Sequence, residues 1–294
     1  MPAPRVLVTG ASGFIGRRVL PLLEGNGCEV HAVSRATADL LSPADQRALL
    51  AAIRPTHILH LAWWTPPGQF WTAMENVTWL QASLDLFRNF AAAGGERWVG
   101  VGTCAEYDWS IGGCFRENDT CRPETLYGAA KAALQLTTAQ MGRQLGVETA
   151  WARIFYPYGP GEPVQRLVPS VITALLNGLS IPCTSGDQIR DYIYVDDVAR
   201  ALAMLVPSPH TGPINIGSGC GIPVKDLVNT IGDLMGRPDL IELGAIPTRE
   251  FEPSEVTADI SVLRSLGFEL KCPLRNGLLE SIGYWKRGST ESVP

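Results

Sequence analysis

Mostly apolar segments that end at turn residues alternate with segments of helical period through the first two-thirds of the chain. The segments predicted as strands lie at 5–10, 29–35, 57–62, 98–103 and 148–155. Helices are predicted over 14–25 and 42–53, the second with Ser42 as its N-cap and Pro43 at its first position. Continuous apolar strands separated by helices are typical of a parallel sheet that helices cover on both faces.

The order of elements becomes less regular after a stretch rich in proline and glycine at 156–163. Beyond it the pattern predicts a helix near 168–177, a strand at 191–195, a helix from Val198 and a strand-like segment at 213–219. These later segments indicate a smaller C-terminal lobe that follows the main sheet.

Two predicted helices carry apolar residues outside the stripe that would face the sheet. The stripe positions are Val77, Leu80, Leu84, Phe87 and Ala91 in one helix, and Leu126, Ala130, Ala133, Thr137 and Met141 in the other. The apolar residues assigned to the outer faces are Trp79, Ala129, Ala132 and Leu136. A two-fold homodimer that pairs both helices with their copies would cover them. In a monomer, the small residues would instead allow close packing against the C-terminal lobe.

Composition and charge narrow the class of protein. With 294 residues, 46% hydrophobic and 18% charged, the chain can bury a sizeable core in one large domain or two interleaved ones. A formal net charge of -5 and a pI near 5.5 predict neither nucleic acid nor an anionic membrane as a partner. No apolar run is long enough to span a bilayer, and we expect no signal peptide. Seven cysteines without a CxxC pair favour a cytoplasmic protein that has neither a disulfide framework nor a structural zinc site.

Glycine recurs as Gly10, Gly13 and Gly16, directly after the first predicted strand and at the start of a helix. The first glycine permits a tight turn, the second lets the backbone approach a pyrophosphate, and the third lets helix and strand pack closely. The helix N-terminus then faces the phosphates. A glycine turn without a ligand has the same local sequence, so the second strand has to support the dinucleotide interpretation.

The second strand ends in Ser34 and Arg35, where many dinucleotide folds have a carboxylate for the ribose 2′-hydroxyl. A hydroxyl beside a guanidinium suits a 2′-phosphate, so we expect NADP(H) to be preferred, with NAD(H) possible. The alternative is that Arg35 is a solvated loop residue. Asp39 is a candidate for either an adenine contact or a turn.

Tyr127 and Lys131 are four residues apart in a predicted helix, which places both side chains on one face. A phenol has a pKa of about 10, and a nearby ammonium lowers it by favouring the phenolate. The pair therefore suits proton exchange at a carbonyl or carbinol oxygen, although a lone match of this kind is common on helix surfaces. Thr103 ends an upstream strand, and its hydroxyl would bind the same oxygen.

The chain resembles the extended short-chain dehydrogenase/reductases, in the branch of NAD-dependent epimerases and dehydratases that modify nucleotide sugars. The matching motifs follow one another along nearly the whole chain: TGASGFIG, HLAW, VGTCAEY, YGAAK, RIFYPYGPG, RDYIYVDDVARA and INIGSG. The resemblance implies a Rossmann-type, doubly wound α/β domain at 1–160, to which segments near 190–218 return. It also implies a mainly substrate-binding lobe at 161–294, a nucleotide-sugar partner and no metal.

The resemblance also implies roles for individual residues. Tyr127 would be the general acid/base, Lys131 would lower its pKa and bind the nicotinamide ribose, and Thr103 would orient the substrate oxygen. The residues implied to line the cofactor are Gly10, Gly13, Phe14, Ile15 and Gly16 at the pyrophosphate, with Leu61 and Ala62 after the fourth strand.

For the substrate, the resemblance implies that Arg190 meets the diphosphate, the alternative being an ion pair with Asp191 or Asp187. Tyr156 stands where the family usually has an asparagine, which puts that diphosphate contact in question. Trp63 and Trp64 are candidates for the sugar or base pocket. Four tryptophans (63, 64, 71 and 79) crowd this stretch, and Trp79 fits a core or subunit contact equally well. Asn76 matches a usually structural asparagine.

The residues after Thr103 help to distinguish dehydration from the other reactions of the family. In relatives with 4,6-dehydratase activity an Asp and a Glu follow this position, whereas Cys104 and Ala105 follow it here, so we do not expect dehydration. The expected reaction is NADPH-dependent reduction of a nucleotide-activated keto-sugar, an NDP-4-keto-6-deoxyhexose, and GTCAEYDW resembles the abequose-synthase-like part of the family. The alternatives are an NAD-dependent C4 epimerase of a nucleotide sugar and a non-catalytic cofactor-sensing protein. The complete Thr, Tyr and Lys set argues against the sensor.

Overall fold

The structure, a computed structural model, describes residues 3–248 and 252–290. The strands are β1 (Arg5–Thr9), β2 (Glu29–Val33), β3 (His57–His60), β4 (Arg97–Thr103), β5 (Gly113–Phe115), β6 (Glu148–Ile154), β7 (Tyr156–Tyr158), β8 (Ile181–Pro182), β9 (Ile189–Tyr194), β10 (Gly212–Ile216), β11 (Gly221–Pro223), β12 (Ile241–Glu242) and β13 (Glu255–Ala258). The helices are α1 (Gly16–Gly25), α2 (Pro43–Ile53), α3 (Glu75–Ala92), α4 (Leu126–Leu145), α5 (Leu167–Leu176), α6 (Val195–Leu205), α7 (Val224–Met235), α8 (Ser261–Ser265) and α9 (Leu274–Thr290).

The central sheet has the strand order β10-β6-β4-β3-β1-β2 within the described residues, and each neighbouring pair is parallel. Val6, Leu7 and Val8 follow one another along β1 and are all fully buried. Since successive side chains point to opposite faces, this sheet is covered on both sides. The predicted parallel α/β class of fold is confirmed.

The chain divides into two compact units. The first consists of Met1–Asp108, Glu117–Ile154 and Val198–Ile216 and holds the central sheet. The second consists of Trp109–Arg116, Phe155–Asp197 and Gly217–Pro294. Its strands are ordered β11-β9-β13-β5, with β7 also paired to β9, and α5, α7 and α9 enclose its apolar core. Within the described residues, no helix is long and apolar enough to cross a membrane.

Three boundaries differ from the sequence prediction. Helix α1 begins at Gly16 rather than at residue 14, because residues 10–15 form the turn that Gly13 N–H closes on the Gly10 carbonyl. Helix α6 begins at Val195, three residues before the expected Val198. Leu61 and Ala62 follow the third strand of the chain, β3, and not the fourth strand that the resemblance implied.

In the predicted inward stripes of α3 and α4, Phe87 and Ala130 are buried as expected, whereas the other predicted positions are not among the buried residues. The buried residues of α3 are Asn76, Trp79, Ala82, Ser83, Leu86, Phe87 and Phe90, and those of α4 are Gly128, Ala130, Lys131, Ala132, Leu134, Thr138 and Gly142. Polar residues face inward because each has a hydrogen-bond partner there, as Ser83 has in His60. Trp79 and Ala132 are therefore inner rather than outer residues. Ala129 is half-buried, and Leu136 is exposed as expected.

Candidate active site

The glycine turn lies where β1 and β3 end side by side. Gly10 has a φ of +67°, and a Cβ on it would lie 2.8 Å from the Ala62 nitrogen. A Cβ on Gly16 would lie 2.3 Å from the Gly10 carbonyl oxygen. Only glycine fits at both positions, and the backbone of Leu61 and Ala62 lies against Gly10.

The same turn leaves the start of α1 suited to an anion. The N-cap Ile15 makes no side-chain cap bond, and the first turn contains no acidic residue. The first N–H groups of a helix have no intrahelical partner, and their partial positive charge attracts phosphate. These residues thus fit the pyrophosphate of a dinucleotide. The glycine turn forms a cradle that any side chain would fill, and the cradle ends at a helix without a side-chain cap.

Beyond β2 the chain forms a hydroxyl-closed turn. The Ala11 N–H donates to the Val33 carbonyl at 3.3 Å, so the end of β2 lies beside the glycine turn. Thr37 Oγ1 donates to the Ser34 carbonyl at 2.8 Å, and the Arg35 side chain is exposed. Asp39 Oδ1 accepts the Leu41 N–H at 2.9 Å, as in the turn-forming alternative.

A chain of buried polar groups runs beneath Ala62. Thr9 Oγ1 accepts the Ala62 N–H at 3.2 Å and lies 2.9 Å from Nδ1 of His60, whose Nε2 lies 2.9 Å from Ser83 Oγ. His60 is 2% exposed, and burial, with a smaller effect of the Lys131 charge, lowers its pKa to about 3. The imidazole is therefore neutral at pH 7.

Thr103 ends β4 and begins a short 3₁₀ turn, Cys104–Glu106. Its hydroxyl accepts the Ala105 N–H at 3.2 Å, and its own N–H donates to Glu106 Oε1 at 2.9 Å. The Glu106 carboxylate also accepts from Trp151 Nε1 at 3.0 Å and from Arg153 Nε at 2.9 Å, and it is fully buried. Glu106 is not among the residues predicted for the site, although T-x-x-E after a strand is the pattern of a capping box.

Tyr127 and Lys131 lie in α4, which packs closely on that 3₁₀ turn. The Thr125 hydroxyl caps the helix by accepting the Gly128 N–H at 3.1 Å, and a Cβ on Gly128 would lie 2.2 Å from the Ala105 carbonyl oxygen. Lys131 is 3% exposed, and its Nζ donates to the Val101 carbonyl at 2.8 Å. Burial lowers the pKa of Lys131 to about 7, against an opposing effect of the Glu106 charge.

Aromatic side chains from the segment after β3 contact both residues of the pair. The Tyr127 ring packs edge-on against Phe70 and Trp71, with ring centroids 4.8 and 5.8 Å away. The Trp63 ring centroid lies 3.9 Å from Lys131 Nζ, and Trp63 packs on the apolar core together with Trp64. The side chain of Trp79 is buried, which fits its core alternative.

The remaining predicted substrate residues, Tyr156 and Arg190, lie in the second unit. The Arg190 guanidinium lies 5.8 Å from the Tyr156 ring centroid, and it donates to Glu252 Oε1 at 3.0 Å and to the Pro253 carbonyl at 2.8 Å. The expected alternative, an ion pair of Arg190 with Asp191 or Asp187, is wrong. Asp187 pairs with Lys225, and the Asp191 carboxylate accepts the N–H groups of residues 218, 219 and 258. No cluster of metal-ligating side chains occurs among the residues that the structure describes.

Comparison with known proteins identifies the family to which the chain belongs. The model of the NAD dependent epimerase/dehydratase family matches residues 6–217. A dTDP-glucose 4,6-dehydratase of Streptomyces griseus is 26% identical over 313 residues, which cover 96% of this chain and 94% of that protein. The CDP-abequose synthase of Salmonella typhimurium is 30% identical over 135 residues, 44% of this chain and 45% of that protein. The chain spans only about half of the length of some curated relatives, such as 45% of the CDP-abequose synthase and 45% of a UDP-glucuronic acid decarboxylase of Arabidopsis thaliana.

The fold itself matches over nearly the full length. The solved UDP-glucose 4-epimerase of Thermotoga maritima superimposes with a TM-score of 0.88 at 23% identity, over 97% of this chain and 99% of that one.

The buried neutral imidazole of His60 predicts a specific loss of stability in acid. The unfolded chain takes up this proton near pH 6.5, whereas the folded protein resists it until about pH 3, so stability falls with pH across that window. The free energy of unfolding should fall by up to about 1.4 kcal/mol per pH unit, which amounts to about 2–3 kcal/mol between pH 6 and pH 4. In urea unfolding, His60→Asn should be the less stable protein at pH 7 and should lose about 2–3 kcal/mol less than the unmutated protein over this range. Parallel pH curves for the two proteins would contradict the assignment.

Proposed function

The chain belongs to the NAD dependent epimerase/dehydratase family, and on that premise we propose that it reduces a nucleotide-activated keto-sugar, an NDP-4-keto-6-deoxyhexose, with NADPH. Two observations carry the choice of reaction: no free carboxylate follows Thr103, which argues against dehydration, and Arg35 after β2 favours NADPH over the tightly held NAD of a C4 epimerase. Cys104 and Ala105 follow Thr103, and the next residue, Glu106, is buried in contact with Arg153. The Glu106 carboxylate is fully buried and already accepts from three donors, so it does not face a substrate.

The proposed mechanism assigns one task to each of the three side chains. The nicotinamide, when bound, supplies the hydride that reduces the ketone carbon. Tyr127 gives its phenolic proton to the ketone oxygen, and the ammonium of Lys131 stabilises the phenolate left behind. Thr103 orients the same oxygen through its hydroxyl. The glycine turn and the start of α1 hold the pyrophosphate, with Phe14, Ile15, Leu61 and Ala62 beside it.

We propose that Arg190 and Tyr156 contact the diphosphate of the sugar nucleotide. Guanidinium groups bind phosphate through two parallel N–H donors, and aromatic faces pack on sugars and bases. We place the enzyme in the cytoplasm, because all seven cysteines are free thiols.

Replacing Tyr127 by Phe removes the proposed proton donor and keeps the ring contacts with Phe70 and Trp71. General acid catalysis contributes about 10²–10⁴-fold, so turnover of a keto-sugar should fall by about that factor while NADPH binding persists. A panel of NDP-4-keto-6-deoxyhexoses with NADPH, followed by absorbance and product NMR, measures this, with Tyr284→Phe as the matched control. Inversion of a sugar carbon without net NADPH consumption would identify the C4 epimerase instead. Near-normal turnover of folded Tyr127→Phe would exclude Tyr127 from the mechanism.

Cofactor preference is expected to depend on Arg35, which stands with Ser34 where an acidic residue would select NAD(H). A charge-assisted hydrogen bond contributes about 1.5–3 kcal/mol, so Arg35→Ala should weaken NADPH binding by about 10- to 100-fold and leave NADH binding unchanged. Arg47→Ala removes another exposed arginine and should change neither affinity. Calorimetric titration with both cofactors measures the difference. Equal affinities in the unmutated protein would show that Arg35 is only a solvated residue.

We further propose a two-fold homodimer through the outer surfaces of α3 and α4, although fewer outer residues are apolar than the sequence indicates. Leu136 is 61% exposed on α4, and Leu80 and Leu84 of α3 are only half-buried. Light scattering at micromolar concentration should give twice the 31.8 kDa chain mass. Leu136→Arg should lower it to one chain, whereas Leu279→Arg, at an exposed leucine of α9, should not. A stable monomer of the unmutated chain would refute the pairing.

A further inference from the structure

Both residues of the proposed acid/base pair are contacted by one segment, residues 61–76. Trp63 near its start lies over the Lys131 ammonium, while Phe70 and Trp71 pack edge-on against Tyr127. The backbone N–H of Tyr127 also donates to the Trp71 carbonyl at 3.1 Å. The segment therefore contacts both Tyr127 and Lys131, and Val101 of β4 contacts Lys131 as well.

Lys131 carries its charge in an unusual environment. Its ammonium is buried, and no carboxylate of the described residues lies within ion-pair distance of it. The two partners that the structure provides are the Val101 carbonyl at 2.8 Å and the Trp63 ring at 3.9 Å. An indole face is the strongest aromatic partner for a cation, and its attraction grows when water is excluded. The Trp63 ring therefore favours the charged form of Lys131 against the cost of burial.

Asn76 fixes the position of that ring. The Trp63 indole N–H donates to Asn76 Oδ1 at 2.9 Å, and Asn76 Nδ2 donates to the carbonyls of Phe70 at 2.7 Å and Ala73 at 2.8 Å. Asn76 is fully buried, so each of these bonds would be costly to leave unmade. One side chain thus ties together the two ends of the segment that contact Lys131 and Tyr127.

We propose that Trp63, held by Asn76, is a positioning residue that keeps the Lys131 ammonium charged and in place at neutral pH, so that Tyr127 can exchange its proton. This inference rests on the proposed function, because it concerns the same pair of residues. It also gives Trp63 a task other than that of a pocket wall for the sugar.

The proposal predicts a shift in the titration of Lys131. Besides Tyr127 on the same helix, the titratable groups near it are His60 of β3 and Glu106 after β4, and residues 61–74 contain no titratable side chain. His60 stays neutral across the relevant range, because its pKa is about 3. Without the indole face the charged form loses an attraction, so Lys131 should release its proton at a lower pH, by about one unit.

The test follows the Lys131 Nζ signal by ¹⁵N NMR in the cofactor-free protein and the pH profile of kcat with NADPH and a keto-sugar. Trp63→Leu should shift both the Lys131 titration and the alkaline limb of kcat down by about one pH unit, with KM for the sugar little changed. Trp63→Phe retains a weaker ring face without the tether to Asn76, so it should shift them less, and it carries the test if Trp63→Leu does not fold. Phe90→Leu shortens a buried core aromatic and should shift neither, even if it lowers the melting temperature.

An unchanged Lys131 titration in a folded Trp63 variant overturns the proposal. A rise in KM with an unmoved pH limb also overturns it, because that is the signature of a pocket wall. If no keto-sugar is reduced, the proposed function fails, yet the NMR titration still decides the contact between Trp63 and Lys131.

Discussion

The close approach of the backbones at the ends of β1 and β3 is the constraint on which the rest of the candidate site depends. Any side chain on Gly10 would collide with the peptide of Ala62, and any side chain on Gly16 would collide with Gly10. With glycine at both positions, α1 can start directly against the sheet edge. The same approach brings the Thr9 hydroxyl to the Ala62 N–H and to His60, which lies beneath the proposed acid/base pair.

Two buried charged residues near that edge, Glu106 and Lys131, have partners of different kinds. The buried Glu106 carboxylate accepts hydrogen bonds from the Thr103 N–H, Trp151 and Arg153, so its charge is paired. Lys131 has a carbonyl and an aromatic ring in place of a carboxylate, so its charge costs more and its pKa falls to about 7. The first arrangement orients a strand end, whereas the second leaves a group that titrates near physiological pH.

Much of this could be predicted from single residues. The parallel sheet followed from unbroken apolar strands, and the Ser42 cap of α2 followed from a local preference that the structure shows as a bond to the Asp45 N–H. The glycine turn could be predicted because its requirement is steric and local. Placing Thr103, Tyr127 and Lys131 on a strand end and a helix also needed only local periodicity and the order of the motifs.

The tertiary structure decided which polar residues face inward and what they contact. The apolar stripes predicted for α3 and α4 were right only in part, because Asn76, Ser83 and Lys131 have partners in the interior, and hydrophobic periodicity does not reveal such partners. Glu106 and Arg153 are 47 residues apart in the chain, and no local pattern reveals that they meet. The sequence by itself determined the class of fold and the residues available for chemistry, since both depend on local sterics and period. Only the packed structure determined the partner of each charge, since that depends on contacts between distant segments.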